Sequence, residues 1–540
     1  MTRLKQVLLA ALSSLLRGRS FLQALFTFWI SPAVIKEHNV KTALPRRTIE
    51  DFLKEAEQRL LGPIEDGQLL ELSRNLKVQF EERLQCHNES MLPSFNHLLP
   101  TGKEEGNYIA LDVGGSTLRV ALVALRGRTS AGRESEILRM QSFKISPEIK
   151  GLVGTGFFDW MAKHIREVIG DDATGTAEPV PMGLAWSFPV EQTSLGGGLL
   201  LGMGKGFVAT DSLLGQDLGQ IIQQACAREG LNVELAALVN DGSATLLSQA
   251  YIHGQTRFGL ILGTGVNIAV HLPVSAFHRS KFGNRSESWF QEASHVIVNT
   301  ELGMYGHGIL PLTRWDDQLK ADHPRPDFQP LEHLLGGYYL GEVVRIALVE
   351  AIETTGILGG AVPPSLQKSY SLDTETLSRI EADTSEDFET ALPYFAETHP
   401  SSVPPTSADL VAIRTLASCT TKRSAALLAA CVFGLWELRH ETEAEYLGTQ
   451  TPPATVDAKA PTPRKPSFVA EARAEVKLPQ TTVGFNGSVI ERYPGYRDSC
   501  QARLDDLASS SAFVGEIKLV PALESSILGA AVALACATEQ

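Results

Sequence analysis

Residues 111–120, LDVGGSTLRV, place two glycines and two hydroxyls just after an aspartate that ends an apolar run. The run Tyr108-Ile109-Ala110-Leu111 reads as a buried strand, and Leu118 to Val123 reads as a second one. Gly114-Gly115 between them is a tight turn. Without Cβ atoms such a turn lets backbone N–H groups approach a ligand closely, and phosphate is the usual ligand. From this stretch alone, a plain hairpin turn and a phosphate loop both stand.

The pattern returns twice. Phe258 to Leu262 is an apolar strand followed by Gly263-Thr264-Gly265, and Val483-Gly484-Phe485 leads into Asn486-Gly487-Ser488. Two such turns can hold one polyphosphate from opposite sides. Three of them favour nucleotide binding over coincidence. Between the first two, the strand ending at Val239 delivers Asn240 and Asp241 to its C-terminal edge, where α/β sheets bind ligands. A carboxylate there is either a proton acceptor for an attacking hydroxyl or a cap on the helix that follows. Glu301, after the apolar run ending Val298-Asn299, and Glu332, opening HLLGGYYLGEVVRIAL, are acceptors suited to a polyol; a helix cap and a solvated face are their plainer readings.

Bulk properties set the frame. The 540 residues allow two to four domains or one large two-lobed enzyme, with 43% hydrophobic and 20% charged residues, ordinary for a globular chain. A net charge of −14 speaks against general nucleic-acid binding. Six scattered cysteines without metal-ligand spacing read as reduced and mostly buried, in an intracellular protein that is not secreted. The first 36 residues carry five basic residues and no acidic one, with leucines on one helical side. That pattern fits a mitochondrial targeting or membrane-surface segment, a weak transmembrane helix, or a helix packed on the body. The Pro-, Ala- and Thr-rich stretch 439–480 reads as an exposed disordered insertion.

Seven segments in order resemble the hexokinase family from about residue 45 to residue 537: LDVGGSTLRV, SFPVEQTSLGGGLLLGMGKGF (187–207), VNDGSATLLSQAY (239–251), LILGTGVNIAV, VNTELGMYG (298–306), LEHLLGGYYLGEVVR (331–345) and VGFNGSVIERYPGY (483–496). The resemblance implies an α/β fold of two actin-like ATPase (ribonuclease H-like) lobes around a sugar and ATP cleft. The large lobe would comprise 41–100 and 239–520, the small lobe 101–238 and 521–540, after an N-terminal segment 1–40. It implies transfer from ATP, with Mg²⁺, to the 6-hydroxyl of a hexose. Asp241 would be the general base and Lys205 a sugar-holding positive charge. Ser187, Phe188, Asn240, Asn267, Glu301 and Glu332 would line the sugar site. Asp112 would sit near the Mg²⁺ water shell. Gly114, Gly115, Ser116, Thr117 and Arg119 would face the phosphates, with Gly263, Thr264 and Gly265 opposite and Gly487 and Ser488 toward the nucleoside.

The chain also departs from the family pattern. Met203-Gly204 stands where Trp-Thr is usual, removing a sugar hydrogen bond worth about 0.5–1.5 kcal/mol. Thr117 replaces an amide, and Gly242-Ser243 replaces Thr-Val, loosening the helix that orients Asp241. Ser525 and Ile527 replace two glycines near the nucleotide, and a β-branched Ile tolerates positive φ poorly. Such drift resembles the atypical fungal hexokinase-like proteins, some of them regulatory. Two functions follow as expectations: a hexose kinase of reduced activity, or a hexose-sensing regulator read by a protein partner. The N-terminal segment would place either at a mitochondrial surface or interior; otherwise the protein is cytoplasmic.

Overall fold

The computed structural model describes residues 47–538, apart from 66, 87–88, 204–205, 209–212 and 449–465. The expectations for residues 1–40, Gly204 and Lys205 lie outside the described residues. No described helix is long and apolar enough to cross a membrane.

Two sheets carry the fold. The first holds β1 (Glu105–Val113), β2 (Thr117–Arg126), β3 (Ser135–Lys144), β4 (Val180–Trp186) and β5 (Val233–Val239), in the order β3-β2-β1-β4-β5. The second holds β6 (Thr256–Leu262), β7 (Val266–Pro273), β8 (His295–Asn299), β9 (Gln480–Asn486) and β10 (Glu516–Pro521), in the order β8-β7-β6-β9-β10. A two-residue strand, Leu92–Pro93, adds an outer edge beside β8. In both sheets the first three strands are antiparallel, and the fourth and fifth run parallel to the first. The echo between LDVGG and LILGTG is therefore a structural repeat: each glycine turn joins strands one and two of its sheet. The first turn is also a hairpin, closed by the Gly114 N–H donating to the Thr117 carbonyl at 3.0 Å.

Five helices position the site: α1 (Asp241–Ile252), α2 (Gly337–Thr355), α3 (Ser407–Gly448), α4 (Pro466–Val476) and α5 (Ser525–Thr538). α1 follows the last strand of the first sheet, and α5 follows the last strand of the second. Both are buried nearly all round, as a helix between two sheets must be. Their alanines and leucines join Ala110 and Ala185 of one sheet and Ala269 and Ile297 of the other in a single apolar cluster. The two helices touch backbone to backbone: a Cβ on Gly529 would stand 2.1 Å from the Ala244 carbonyl oxygen.

Two expectations are corrected here. The stretch 439–480 is not an exposed insertion throughout, because α3 runs on to Gly448 and α4 begins at Pro466. The charges that made it look solvent-seeking pair with one another. Glu475 takes both Arg439 and Arg257, the latter at 2.6 and 2.7 Å, while Glu443 holds His295 at 2.7 Å, and Arg439 and Glu443 are fully buried. Ile527 does not sit at a positive-φ position beside the cleft either. It lies inside α5, fully buried in the cluster between the sheets, and the left-handed residue is Glu524, at φ 48°. Ser525 opens the helix and its hydroxyl is 2.9 Å from that of Thr245. Neither Ser525 nor Ile527 has a positive φ.

Candidate active site

Asp112 is the penultimate residue of β1, in register with Arg119 on β2 and Ala185 on β4. Being central in its sheet, it is 7% exposed. Its Oδ2 lies 3.2 Å from Arg119 Nε, and Arg119 Nη1 donates to Glu524 at 2.8 Å. Burial pushes the Asp112 carboxyl up to about 6; Arg119 opposes the shift, and the charges of Asp241 and Glu524 add to it.

Asp241 is the first residue of α1. Asn240 caps that helix, its Oδ1 accepting from the Ser243 N–H at 2.8 Å, and Asp241 Oδ1 accepts from the Gly242 N–H at 2.8 Å. The loosening expected from Gly242 is thus countered by two side-chain caps. Gly242 is also buried against β7, where a Cβ would stand 3.3 Å from the Ala269 nitrogen. The Asp241 charge pushes up the carboxyls of both Asp112 and Glu301, so it lies near each of them.

That floor is a chain of amides and carboxylates. Asn267 Nδ2 donates to Asn299 Oδ1 at 2.8 Å, and Asn299 Nδ2 donates to Glu301 Oε1 at 2.8 Å. Glu301 holds a left-handed conformation, φ 52°, uncommon outside glycine and typical of functional turns. Burial raises its carboxyl above the usual range; Asn299 opposes this, and Asp241 and Glu332 add to it. Glu332 Oε2 accepts from the Val266 N–H at 3.0 Å. A Cβ on Gly265 would lie 2.4 Å from that same oxygen, so only glycine lets Glu332 dock on the second turn.

The second and third glycine turns lie side by side, because β6 and β9 are parallel neighbours. Gly487, at φ 130°, packs so closely that a Cβ would be 2.3 Å from the Leu262 carbonyl oxygen. The backbone N–H of Ser488 stands beside Gly263. Asn486 Nδ2 and the Gly487 N–H both donate to Glu491, which fixes the turn.

The structure thus gathers Asp112, Arg119, Asp241, Asn267, Glu301 and Glu332 into one constellation, and Gly263, Thr264, Gly265, Gly487 and Ser488 into a second cluster beside it. Gly114 and Gly115 close the first hairpin; Ser116 accepts from the Ile145 N–H and Thr117 from Gly114, both through backbone carbonyls. Ser187 joins its loop to β1 by donating its N–H to Val113 at 3.1 Å. The Phe188 ring is 6% exposed and packs on Trp186 and Phe207 in the apolar core of the first sheet, together with Met203. Sequence reading passed over Asn299, whose only local sign is an amide two residues before Glu301. It also passed over Glu524, and over Gln192, which ties its loop to Leu238 on β5 at 2.9 Å and to the Phe95 N–H at 3.1 Å.

Comparison with known proteins agrees with this geometry. Two family models, both described as Hexokinase, match residues 54–251 and 257–536. Hexokinase-2 of Candida albicans is 30% identical over 84% of this chain and 85% of its own. Hexokinase-1 of Saccharomyces cerevisiae is 28% identical over 82% of this chain and 83% of its own. Among solved structures, the hexokinase from Schistosoma mansoni complexed with glucose superposes with a TM-score of 0.68 at 25% identity, covering 91% of this chain and all of that one. The two sheets with their shared strand order are the two actin-like α/β lobes that the resemblance implies.

Proposed function

The chain belongs to the hexokinase family, and on that premise we propose that it transfers the terminal phosphoryl group of ATP to the 6-hydroxyl of a hexose. The observation that carries the reading is the placement of Asp241. It sits on a capped helix start near both Glu301 of the polyol-binding floor and Asp112 beside the phosphate-type turn. In the reaction Asp241 accepts the proton of the attacking hydroxyl, a role typically worth about 10²–10⁴-fold. Glu301, Glu332, Asn267 and Asn240 orient the sugar. The amides of the glycine turns and Arg119 face the charge that spreads over the phosphoryl oxygens, and positioning with charge neutralisation supplies most of the catalysis in such transfers.

The residues fit a magnesium ion carried on the nucleotide. Among the described residues no three His, Cys, Asp or Glu side chains are grouped to hold a metal, while Asp112 offers one buried carboxylate beside the turn; Mg²⁺ usually takes one or two carboxylates plus phosphates. When bound with ATP, the ion supplies positive charge against the phosphates.

A second reading, a hexose-binding regulator with weak turnover, draws on Arg119. Its guanidinium is already engaged by Asp112 and Glu524, so a phosphate has to compete for it. Hexose-dependent ADP release by the full chain with Mg·ATP decides between the two. Turnover that needs the sugar supports the kinase, and none from a folded chain leaves the regulator.

Two expected results follow. Asp112 is the group held near 6 by burial, so it is a neutral acid below that pH and a carboxylate above it. We expect kcat/KM for Mg·ATP at saturating sugar to be flat at neutral pH and to fall roughly tenfold per unit below about 6. Asn299→Ala removes the donor that Glu301 faces. A hydrogen bond to a charged group is worth about 1.5–3 kcal/mol, so sugar KM should rise about ten- to a hundredfold with little change in KM for ATP.

A further inference from the structure

The segments that carry Glu301 and Glu332 also wall a separate cavity of about 340 Å³, within the size range of small-molecule pockets. Gly306 to Gly308 contribute to it from the first segment and His333 and Leu334 from the second, with Leu319 and Lys320 from the helix Arg314–Asp322. Neither Glu301 nor Glu332 lines it. The protein holds the walls itself. The Gly306 N–H donates to Gln79 Oε1 at 2.8 Å, and Gln79 Nε2 donates to the His307 carbonyl at 3.0 Å. At φ 93°, a Cβ on Gly306 would stand 2.6 Å from Leu310 Cγ, so glycine lets Leu310 fold back against the turn. The Leu331 N–H donates to the Gly303 carbonyl at 3.1 Å, which ties the two glutamate segments together.

The lining is largely apolar, and its buried charges are already matched. Leu310, Leu312, Leu319 and Leu334 line it with Pro326 and Pro330. Asp316 gives both oxygens to Arg423, at 2.7 and 2.8 Å, and Lys320 meets Asp327 at 2.8 Å. His333 is the exception. It is 6% exposed, and its Nε2 is buried with no hydrogen-bond partner. Burial, with the charges of His323 and Lys320, holds its imidazole down to about 4, so the ring is uncharged at neutral pH. An unpaired buried polar atom is costly, and a hydroxyl can either donate or accept, so it suits Nε2 in either tautomer.

We propose that this cavity is a binding site distinct from the sugar floor, for a small uncharged molecule with an apolar body and one hydroxyl, the class to which simple phenols belong. The leucines and prolines take the apolar body, and His333 takes the hydroxyl. A charged ligand would have to break the Lys320–Asp327 or the Arg423–Asp316 pair to find its counter-charge. His333 directly follows Glu332, so the occupant leans on the frame of the floor, whatever the chain does with phosphate.

The test is calorimetry on the full chain with 4-methylphenol and with toluene, which has the same ring and methyl group but no hydroxyl. The phenol is expected to bind about two- to tenfold tighter than toluene, the range for one net hydrogen bond, and to do so with or without saturating glucose. His333→Phe, which keeps a ring and loses the nitrogen, should erase that preference. Leu312 is 42% exposed, and Leu312→Trp should fill the cavity and abolish binding of both probes while the urea midpoint stays in place. Equal binding of the two probes by the unaltered chain, an intact preference in folded His333→Phe, unchanged binding in Leu312→Trp, displacement by glucose, or binding of neither probe would each overturn the proposal. A chain that fails to transfer phosphate would leave it standing.

Discussion

If the chain is the proposed kinase, Asp241→Ala is expected to lower its hexose-dependent ADP release by about 10²–10⁴-fold while leaving it folded. The fold is expected to tolerate the change because the second cap of α1, Asn240, remains. Asn240 caps the helix through Ser243, and the Ala244 N–H donates to the Asn240 carbonyl at 2.8 Å. Losing one acidic group from a first turn costs about 0.3–1 kcal/mol. A second readout separates a lost base from a general disturbance. The Asp241 charge helps hold both Asp112 and Glu301 up, so its removal lets both carboxyls ionise at lower pH. The acid limb of the residual activity then moves to lower pH, a shift that partial unfolding does not produce. Turnover that survives the substitution at full rate would overturn the assignment of Asp241 as base.

Arg423→Met destabilises the lobe that carries α3 by about 3–5 kcal/mol, the range for breaking one side of a buried ion pair. Arg423 is fully buried and meets Asp316 in a two-pronged bond, Nη1 to Oδ2 at 2.7 Å and Nη2 to Oδ1 at 2.8 Å. The same carboxylate accepts from the Thr313 N–H and hydroxyl, both at 2.7 Å, in a capping box. Burial pushes the Asp316 carboxyl up, and Arg423 with Thr313 outweighs it, leaving the group below the usual range. Its contribution is therefore complete at neutral pH and is lost as pH falls through the folded value. Without Arg423 the carboxyl is driven upward instead. The deficit in urea unfolding should be largest near neutrality and narrow on acidification, and Asp316→Asn added to Arg423→Met should recover part of it. A midpoint unchanged by Arg423→Met would show that the pair contributes nothing net.

The parts of this protein that were legible in its sequence are those whose signal is local. A glycine turn after an apolar run is written in consecutive residues, and so the three turns and the strand that leads into Asp241 could be found before the fold was known. Strand order was not written that way. That Gly263 lies beside Ser488 depends on β9 pairing with β6 across more than two hundred residues of chain. Asn299 was missed because its role comes from register. It works through Asn267, an amide on a neighbouring strand, and nothing in VNTELG announces that partner. The stretch 439–480 was misjudged because composition counts charges without their partners; Arg439, Glu443 and Glu475 look solvated only until they are seen to meet. Ile527 was misjudged by where a helix begins. As the third residue of α5, a β-branched side chain is a core residue and not an obstacle.

The crossing of α1 and α5 has a mechanical meaning beyond its packing. Gly529 and Ala244 touch through main chain, at a point where no side chain of Gly529 can interlock. Interlocked knobs would forfeit many dispersion contacts on turning, whereas a smooth joint forfeits few. Were the lobes to turn on that point, each sheet with its glycine turn would be a lever arm. A swivel at Gly529 would be amplified at the rim, where it would move Gly114 and Gly115 relative to Gly263 and Gly265.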